Sequence, residues 1–324
     1  MSKLGVLAGW IGIALVVNAA PVQQVWEARY NGPLNREDLF SAMTIDAAGR
    51  VYVTGSSDNN ANPDPYATVK YDTNGVQTWV ARYTGPRQVD VPIAIAVDNA
   101  GNVYVTGFSH GTVHNYDPDY ATVKYAPDGT ELWAARYNAH TNAVSSADIP
   151  RAMVINNAGE VYVTGASASP QGSMDFLTIK YSTTGSELWV QRYDGPAHSE
   201  DAGRAMGIDA AGNIHVCGSS PGILGTWDIT LIKYSPGGTQ MWVSRFETEV
   251  FGRLDELAMA VDAAGNSYIS VFTKQPGPSW VWRLNLLKYD ANGGLVWKTQ
   301  RRAVSEDEYI SIAAMELDDA NNVC

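Results

Sequence analysis

Apolar and polar residues alternate along this chain in short runs rather than in helical turns. Val51-Tyr-Val-Thr54-Gly55 and Ala67-Thr-Val-Lys70-Tyr71 are such runs, rich in β-branched and aromatic residues and bounded by Gly, Asn or Asp. Those are strand signals. Past Ala20 no segment sustains an apolar 3.6-residue period, so no helix is expected there. The connecting tetrapeptides are turn sequences. Asp46-Ala-Ala-Gly49, Asp98-Asn-Ala-Gly101, Asp209-Ala-Ala-Gly212 and Asp262-Ala-Ala-Gly265 form one set, and Asp72-Thr-Asn-Gly75, Ser182-Thr-Thr-Gly185 and Asp290-Ala-Asn-Gly293 a second. An Asp side chain can accept from the turn backbone two residues on, and Gly takes the positive φ that closes a hairpin.

The runs repeat in a fixed order. Ala-x-x-(Ile/Val)-Asp is followed by Val-Tyr-Val-Thr-Gly, then Ala-Thr-Val-Lys-Tyr, then a phrase opening on Trp. That last phrase reads Trp26-Glu-Ala-Arg29-Tyr30, then returns at Trp79, Trp133, Trp189 and Trp242, with a decayed copy Trp297-Lys-Thr-Gln300-Arg301. The tryptophans recur about every 53–56 residues, a period of solenoids, propellers and arrays. Four short antiparallel strands per unit predict an all-β propeller of four-stranded blades. The count predicts five full blades plus a partial closing blade: residues 24–30 supply a fourth strand, and residues 312–318 a first strand. The chain is therefore expected to be C-terminally incomplete.

The phrases Asp-Ala-Ala-Gly-Asn-Val-Tyr-Val-Thr-Gly, Lys-Tyr and Trp-x-x-Arg-Tyr-x-Gly-Pro together resemble the SBBP family, the seven-bladed β-propeller repeat of bacterial secreted proteins. Tyr30-Asn-Gly-Pro33, Tyr83-Thr-Gly-Pro86 and Tyr193-Asp-Gly-Pro196 carry the last ending. The resemblance runs over residues 24–324 and implies a secreted propeller. The departures are Asn156 for Asp, His215 for Tyr, Ser270-Val271 for Thr-Gly, and Gln300 for Arg.

Residues 1–19 read as a secretory signal, with Lys3 ahead of an apolar Leu4–Val17 run and small residues at the cut, leaving residues 20–324 as the repeat domain. A secreted, extracellular or cell-surface location follows, with the periplasm as the alternative and no membrane insertion after cleavage. Net charge is −12, the opposite of a nucleic-acid footprint. The two cysteines, Cys217 and Cys324, form no disulfide framework. Cys217 stands where other units have Thr54, Thr106 and Thr164, which makes it a small strand residue. A monomer is expected.

Strand direction places the two sets of tight turns on one face and the variable two-to-three and blade-to-blade loops on the other. Loops on a rigid scaffold are where binding concentrates. Tyr66, His110, His114, Tyr116, Tyr120, Trp227, Trp280 and Trp282 fall on that variable face, as do Asp38, Asp90, Asp148, Asp201, Asp255 and Asp307. The acids are expected to ring the channel mouth, either holding a cation or basic partner, or capping loops and pairing with Arg151, Arg204 and Arg253. The repeated Trp side chains read as core between blades. Lys70, Lys124, Lys180, Lys233 and Lys288 read as ion-pair partners of the turn acids.

Chemical motifs are sparse. Gly107-Phe-Ser109-His-Gly111 matches G-x-S-x-G, but that motif needs a strand–turn–helix elbow, and none is expected here. His110 and His114 supply at most two zinc ligands. Asp58, Asn60, Asn62 and Asp64 alternate oxygen ligands as a calcium loop does, though Pro63 and Val69 replace the Gly and Glu an EF-hand needs. Calcium at these four residues is the one metal candidate, and no other cofactor is expected. Three functions remain open. One is a non-enzymatic secreted scaffold binding a protein or glycan. The second is a metal-dependent enzyme resembling NHL-type and streptogramin-lyase propellers. The third is a quinoprotein-like cofactor binder, suggested by the Asp-x-x-Gly-x-x-x-Trp spacing.

Overall fold

The computed structural model describes residues 24–302 apart from 59–64, 88, 112–117, 140–146, 171, 249–253, 255–256 and 276–280, and beyond them residues 315–318 and 321–323. Every regular element among the described residues is a strand, and the strands form five four-stranded antiparallel sheets. The first holds β1 (Asp38–Ile45), β2 (Val51–Ser57), β3 (Tyr66–Tyr71) and β4 (Gln77–Tyr83). The second holds β5 (Asp90–Val97), β6 (Val103–His110), β7 (Pro118–Tyr125) and β8 (Glu131–Tyr137). The third holds β9 (Asp148–Ile155), β10 (Val161–Ala168), β11 (Met174–Tyr181) and β12 (Glu187–Tyr193). The fourth holds β13 (Ala202–Ile208), β14 (Ile214–Pro221), β15 (Trp227–Tyr234) and β16 (Gln240–Phe246). The fifth holds β17 (Leu257–Val261), β18 (Ser267–Gln275), β19 (Val281–Tyr289) and β20 (Leu295–Arg302).

Each sheet runs first to fourth strand in sequence order, the meander expected of a blade. Successive sheets meet along their first strands, β1 on β5, β5 on β9, β9 on β13 and β13 on β17. The first strands are thus innermost. No comparable packing joins the fifth sheet back to the first, so the described blades form an arc. The turns close as their sequences require. Asp46 Oδ1 accepts from the amides of Ala48 and Arg50, both at 3.0 Å, and Gly49 takes a φ of 83°. Asn156, which replaces Asp, caps Ala158 and Glu160 the same way at 3.1 and 2.9 Å.

The expected ends of the closing blade differ from full strands. Residues 24–30 have no strand partner, because no third strand lies beside them. At the other end Asp318 and Asn322 close a first turn, with one isolated bridge between Leu317 and Val323. No sixth sheet exists among the described residues.

The core lies in the seams between sheets, not inside one central cluster. At the second seam, Tyr104 and Tyr120 of one sheet pack with Val161, Val163, Leu177 and Ile179 of the next. The tryptophans belong to these seams. Trp79 stacks over Gly129, the next sheet's turn glycine, where an added Cβ would stand 2.9 Å from the ring. Its Nε1 donates to the carbonyl of Pro127 at 3.0 Å, and Lys70 Nζ donates to that same oxygen at 2.9 Å. Trp133 and Lys124 share Thr183 O, Trp189 and Lys180 share Pro236 O, and Trp242 and Lys233 share Ala291 O. These rings are half-buried, and truncating one costs up to about 3–5 kcal/mol.

The lysines follow the ion-pair expectation only in part. Lys233 reaches the turn acid Asp209 at 3.0 Å, and Lys180 reaches Glu160 at 2.8 Å. Lys70 and Lys124 sit instead over the rings of Tyr52 and Tyr104, 5.3 and 4.9 Å from the centroids, besides their carbonyl bonds. Cation–π contact and a carbonyl compensate the burial of the ammonium stem.

Candidate functional site

The loop face can be built from the fourth-strand arginines outward. Each reaches across its own blade to the Ser that ends the second strand, and across the seam to the Tyr of the preceding blade. Arg136 donates to Tyr83 Oη at 3.2 Å, to Ser109 O at 2.9 Å, to Ser109 Oγ, and to Asp119 Oδ2 at 2.7 Å. Arg245 repeats the pattern on Tyr193, Ser220 and Asp228 at 2.9, 2.8 and 2.8 Å. Arg192 bonds Ser167 O and Oγ at 3.2 and 2.5 Å, while Asp175 lies 3.6 Å away. Arg82 bonds Ser57 O at 2.9 Å and Tyr30, but Pro65 stands where the second, third and fourth blades carry the Asp. These arginine clamps were not anticipated from the sequence, although the strict Trp-x-x-Arg-Tyr spacing carried the signal.

The first-strand acids complete the same clusters. Asp90 Oδ2 accepts from Gly85 N at 2.8 Å, Asp148 Oδ2 from Ala139 N at 2.9 Å, and Asp201 Oδ2 from Gly195 N at 2.7 Å. Asp148 also accepts from Ser167 Oγ. Their exposures are 0%, 0% and 1%, so these three do not ring an open channel mouth. Loop capping is what they do, as the second sequence reading held; the charge of Arg136 favours the ionised form of Asp90, and that of Arg192 the ionised form of Asp148. Asp38 caps Gly32 at 2.8 Å and is half-exposed. Asp255 and Asp307 lie outside the described residues, as does Arg253.

Burial sets the proton affinities. It pushes the carboxyls of Asp148 and Asp201 up to about 6, against the opposing hydrogen bonds from Ala139 or Gly195 amides and the Ser167 or Ser220 hydroxyls. Asp175 is raised as well, first by burial and then by the neighbouring Asp194 charge.

Several sequence candidates resolve differently. Tyr66 and Tyr120 are wholly buried in the seams and are not part of the loop face, because their rings enter the next blade. Trp227 packs half-buried against the fourth seam. Ser109 is fully buried within β6 with Arg136 on its hydroxyl, and the next described element is the strand β7, so no nucleophile elbow forms. His215 fills the tyrosine slot fully buried, its ring nitrogens on Ser267 Oγ at 2.8 Å and Asp209 at 3.3 Å, and burial lowers it to about 4. Cys217 is a buried free thiol facing Leu231 where other blades pair two threonines. Of the calcium candidates, Asp58 meets Arg36 at 3.3 Å, and Asn60, Asn62 and Asp64 lie outside the described residues. So do His114, Tyr116 and Trp280.

One cluster was not expected. Asp175 at the start of the third strand, Asp194 after the fourth and Asp201 before the first converge at the third seam. Each offers an oxygen within 4.8 Å of the others. Asp194 is exposed and bonded to His198 Nδ1 at 2.6 Å. The extra acid is Asp194, where the units before it have Asn31, Thr84 and Asn138 and the unit after it has Glu247. Three carboxylates with hard oxygen donors suit a divalent cation. Arg192 beside Asp175 and the Gly195 amide on Asp201 already satisfy part of that charge.

Comparison with known proteins places this architecture. Residues 78–113 match the SBBP beta-propeller repeat model, a stretch that runs from β4 through β6. An uncharacterized WD repeat-containing protein of Acanthamoeba polyphaga mimivirus is 26% identical over 242 residues, covering 64% of this chain. The chain spans only 16% of that relative's length. Among solved structures, an ulvan lyase of a new polysaccharide lyase family matches with a TM-score of 0.50 at 11% identity, over 80% of this chain and 69% of its own. A second polysaccharide lyase matches with a TM-score of 0.51 at 10% identity, over 92% of this chain and 78% of its own. At such identities the likeness is one of fold. Residues 78–113 are thus an SBBP beta-propeller repeat, and the phrases that carry the match recur along the other sheets.

Proposed function

We propose that this chain is an exported, non-enzymatic propeller scaffold that binds a protein or glycan on its variable loop face. The observation that carries the reading is where the polar chemistry goes. The recurrent Arg, Asp, Ser and Lys side chains of the described blades are taken up by bonds across the seams and loops. The best-described loop of that face, the turn from Gly222 to Thr226, instead presents Ile223 and Leu224 at 80% and 83% exposure. Adjacent apolar side chains held out by a tight turn suit a binding contact. A net charge of −12 favours neutral glycan over acidic polymer. Residues 24–30 and 315–323 read as the two ends of a partial closing blade, and the protein as a monomer.

Affinity electrophoresis through neutral polysaccharides, with Ile223→Asp/Leu224→Asp beside the parent chain, tests this. Retention of the parent and its loss in the double variant are expected. Release of products from any of the polymers would overturn the non-enzymatic reading. The cluster of Asp175, Asp194 and Asp201 favours a second reading, a metal-dependent enzyme. Stoichiometric metal removable by EDTA and absent from Asp194→Asn would support it; metal-free protein after dialysis against calcium and zinc would sink it. A calcium-induced melting shift abolished by Asp58→Ala would instead assign the metal to the Asp58–Asp64 loop.

A further inference from the structure

The open face of the first sheet differs in one respect from the first three of the four seams between sheets. At the first seam Tyr66 enters the second blade, its hydroxyl donating to Phe108 O at 3.3 Å and lying 2.6 Å from where a Gly107 Cβ would be. Tyr120 stands 2.6 Å from the same point on Gly165, and Phe176 stands 2.8 Å from it on Gly218. The third strands of the first three blades therefore each send an aromatic ring onto the second-strand glycine of the next, and at the fourth seam Ile229 and Val271 stand in those two places. The equivalent glycine of the first blade is Gly55, and the three atoms nearest its Cβ position are backbone atoms of Leu39 and Phe40. The place of the ring is a pocket of about 190 Å³ lined by Tyr30, Leu39, Phe40, Gly55, Ala67 and Val69. Phe40 is 65% exposed, whereas Pro92 and Pro150, at its register position opposite Gly107 and Gly165, are buried.

The outer part of this face is already covered. Trp26 lies on Gly75 and stacks on Tyr71 at 6.2 Å, and Tyr30 takes the Arg82 bond, as Trp79 and Tyr83 do one blade on. Residues 24–30 thus stand in the place of a fourth strand whose inner edge has no strand partner among the described residues. All five Lys-Tyr third-strand phrases of the sequence are committed to the five sheets. A second copy of the chain fits poorly. The one hairpin it has free, β18–β19, carries Leu284 where the ring belongs, and its Trp297 would compete with Trp26 for Gly75.

We propose that this face is an acceptor for an added β-hairpin of the same repeat phrase. Its second strand would pair with residues 24–30 and send a Tyr or Phe into the Gly55 pocket. Main-chain pairing supplies affinity and the pocket supplies specificity, the division seen wherever a strand is added to an open edge. The test adds a synthetic peptide of residues 103–125, which carries Tyr120, to the intact chain and follows binding by calorimetry and melting. Saturable one-to-one binding and a higher melting temperature are expected. Tyr120→Ala in the peptide, or Phe40→Asp in the protein, should weaken binding at least tenfold, and Ile223→Asp should leave it unchanged. No saturable binding by a cooperatively melting chain would overturn the proposal. So would equal binding of the Tyr120→Ala peptide, or a sedimenting dimer that the peptide fails to dissociate.

Discussion

Arg136 and Arg82 occupy the same slot in successive blades but face different partners, and that difference can be measured. Removing Arg136 takes from Asp119, 6% exposed at its side chain, the ion pair the two make at 2.7 Å. Breaking a buried pair from one side costs about 3–5 kcal/mol. Arg82 has Pro65 in place of the acid, so Arg82→Met should cost roughly 1–2 kcal/mol for its hydrogen bonds. Urea unfolding of Arg136→Met and Arg82→Met should show this ordering, and equal losses would refute the ion-pair contribution. The buried acids give a pH signature. Asp201 titrates at about 6 when folded against 3.8 when exposed, so the folded state holds the extra proton between those values. Stability from this group therefore rises as pH falls from about 7 to 4, by on the order of 1–3 kcal/mol. His215 acts oppositely. Held near 4 against 6.5, it favours the folded state above 6.5 and loses that contribution as pH falls. Melting curves of Asp201→Asn should lack the first component, and a parent-minus-variant difference flat from pH 4 to 7 would contradict the shift.

At the scale of the strand, the second-strand glycine governs a bulge. The carbonyls of Leu39, Val91, Ile149 and Ala202 lie 1.9, 2.1, 2.1 and 1.9 Å from where the Cβ of Gly55, Gly107, Gly165 and Gly218 would be. In those four blades the register between first and second strands slips by one residue beside the glycine. The fifth blade has Val271 there, and its described register runs through without a shift. Gly165→Ala should therefore cost several kcal/mol, about 3 or more, or prevent folding, because a backbone atom must move. Val271→Ala should cost about 1–2 kcal/mol, an ordinary cavity. Similar denaturation midpoints for the two would disprove the bulge argument. The strands, the turns and the seam tryptophans were legible in the sequence because period and turn chemistry act locally. Tyr66 and Tyr120 were misplaced on the loop face because their position along a strand does not reveal which neighbouring blade the ring enters. The Asp175–Asp194–Asp201 cluster was missed for a related reason: its members come from three different strand ends and meet only across a seam.

At the scale of the whole molecule, cohesion is summed over seams, as in other repeat arrays. The middle sheets have a neighbour on each side, while the first is covered outside only by residues 24–30 and the fifth leaves Trp297 38% exposed. Amide exchange should be slowest in β10 and β11 and faster in β2, β3, β18 and β19. Uniform protection across all five sheets would contradict the arc. Trp26→Ala should lower stability less than Trp133→Ala, by roughly 1–2 against 3–5 kcal/mol, since its ring seals an open face rather than a filled seam.

The oxygen shared by each Lys and Trp has a consequence for how such a chain can change over generations. Each blade grips its successor through a main-chain carbonyl, and the residues that present it are Pro127, Thr183, Pro236 and Ala291, four positions of three different kinds. The grip reads backbone shape and ignores side-chain identity. This contact therefore sets no condition on a unit that is duplicated, deleted or exchanged, and the match that does is the third-strand ring against the next blade's glycine, since Ile229 accompanies Val271.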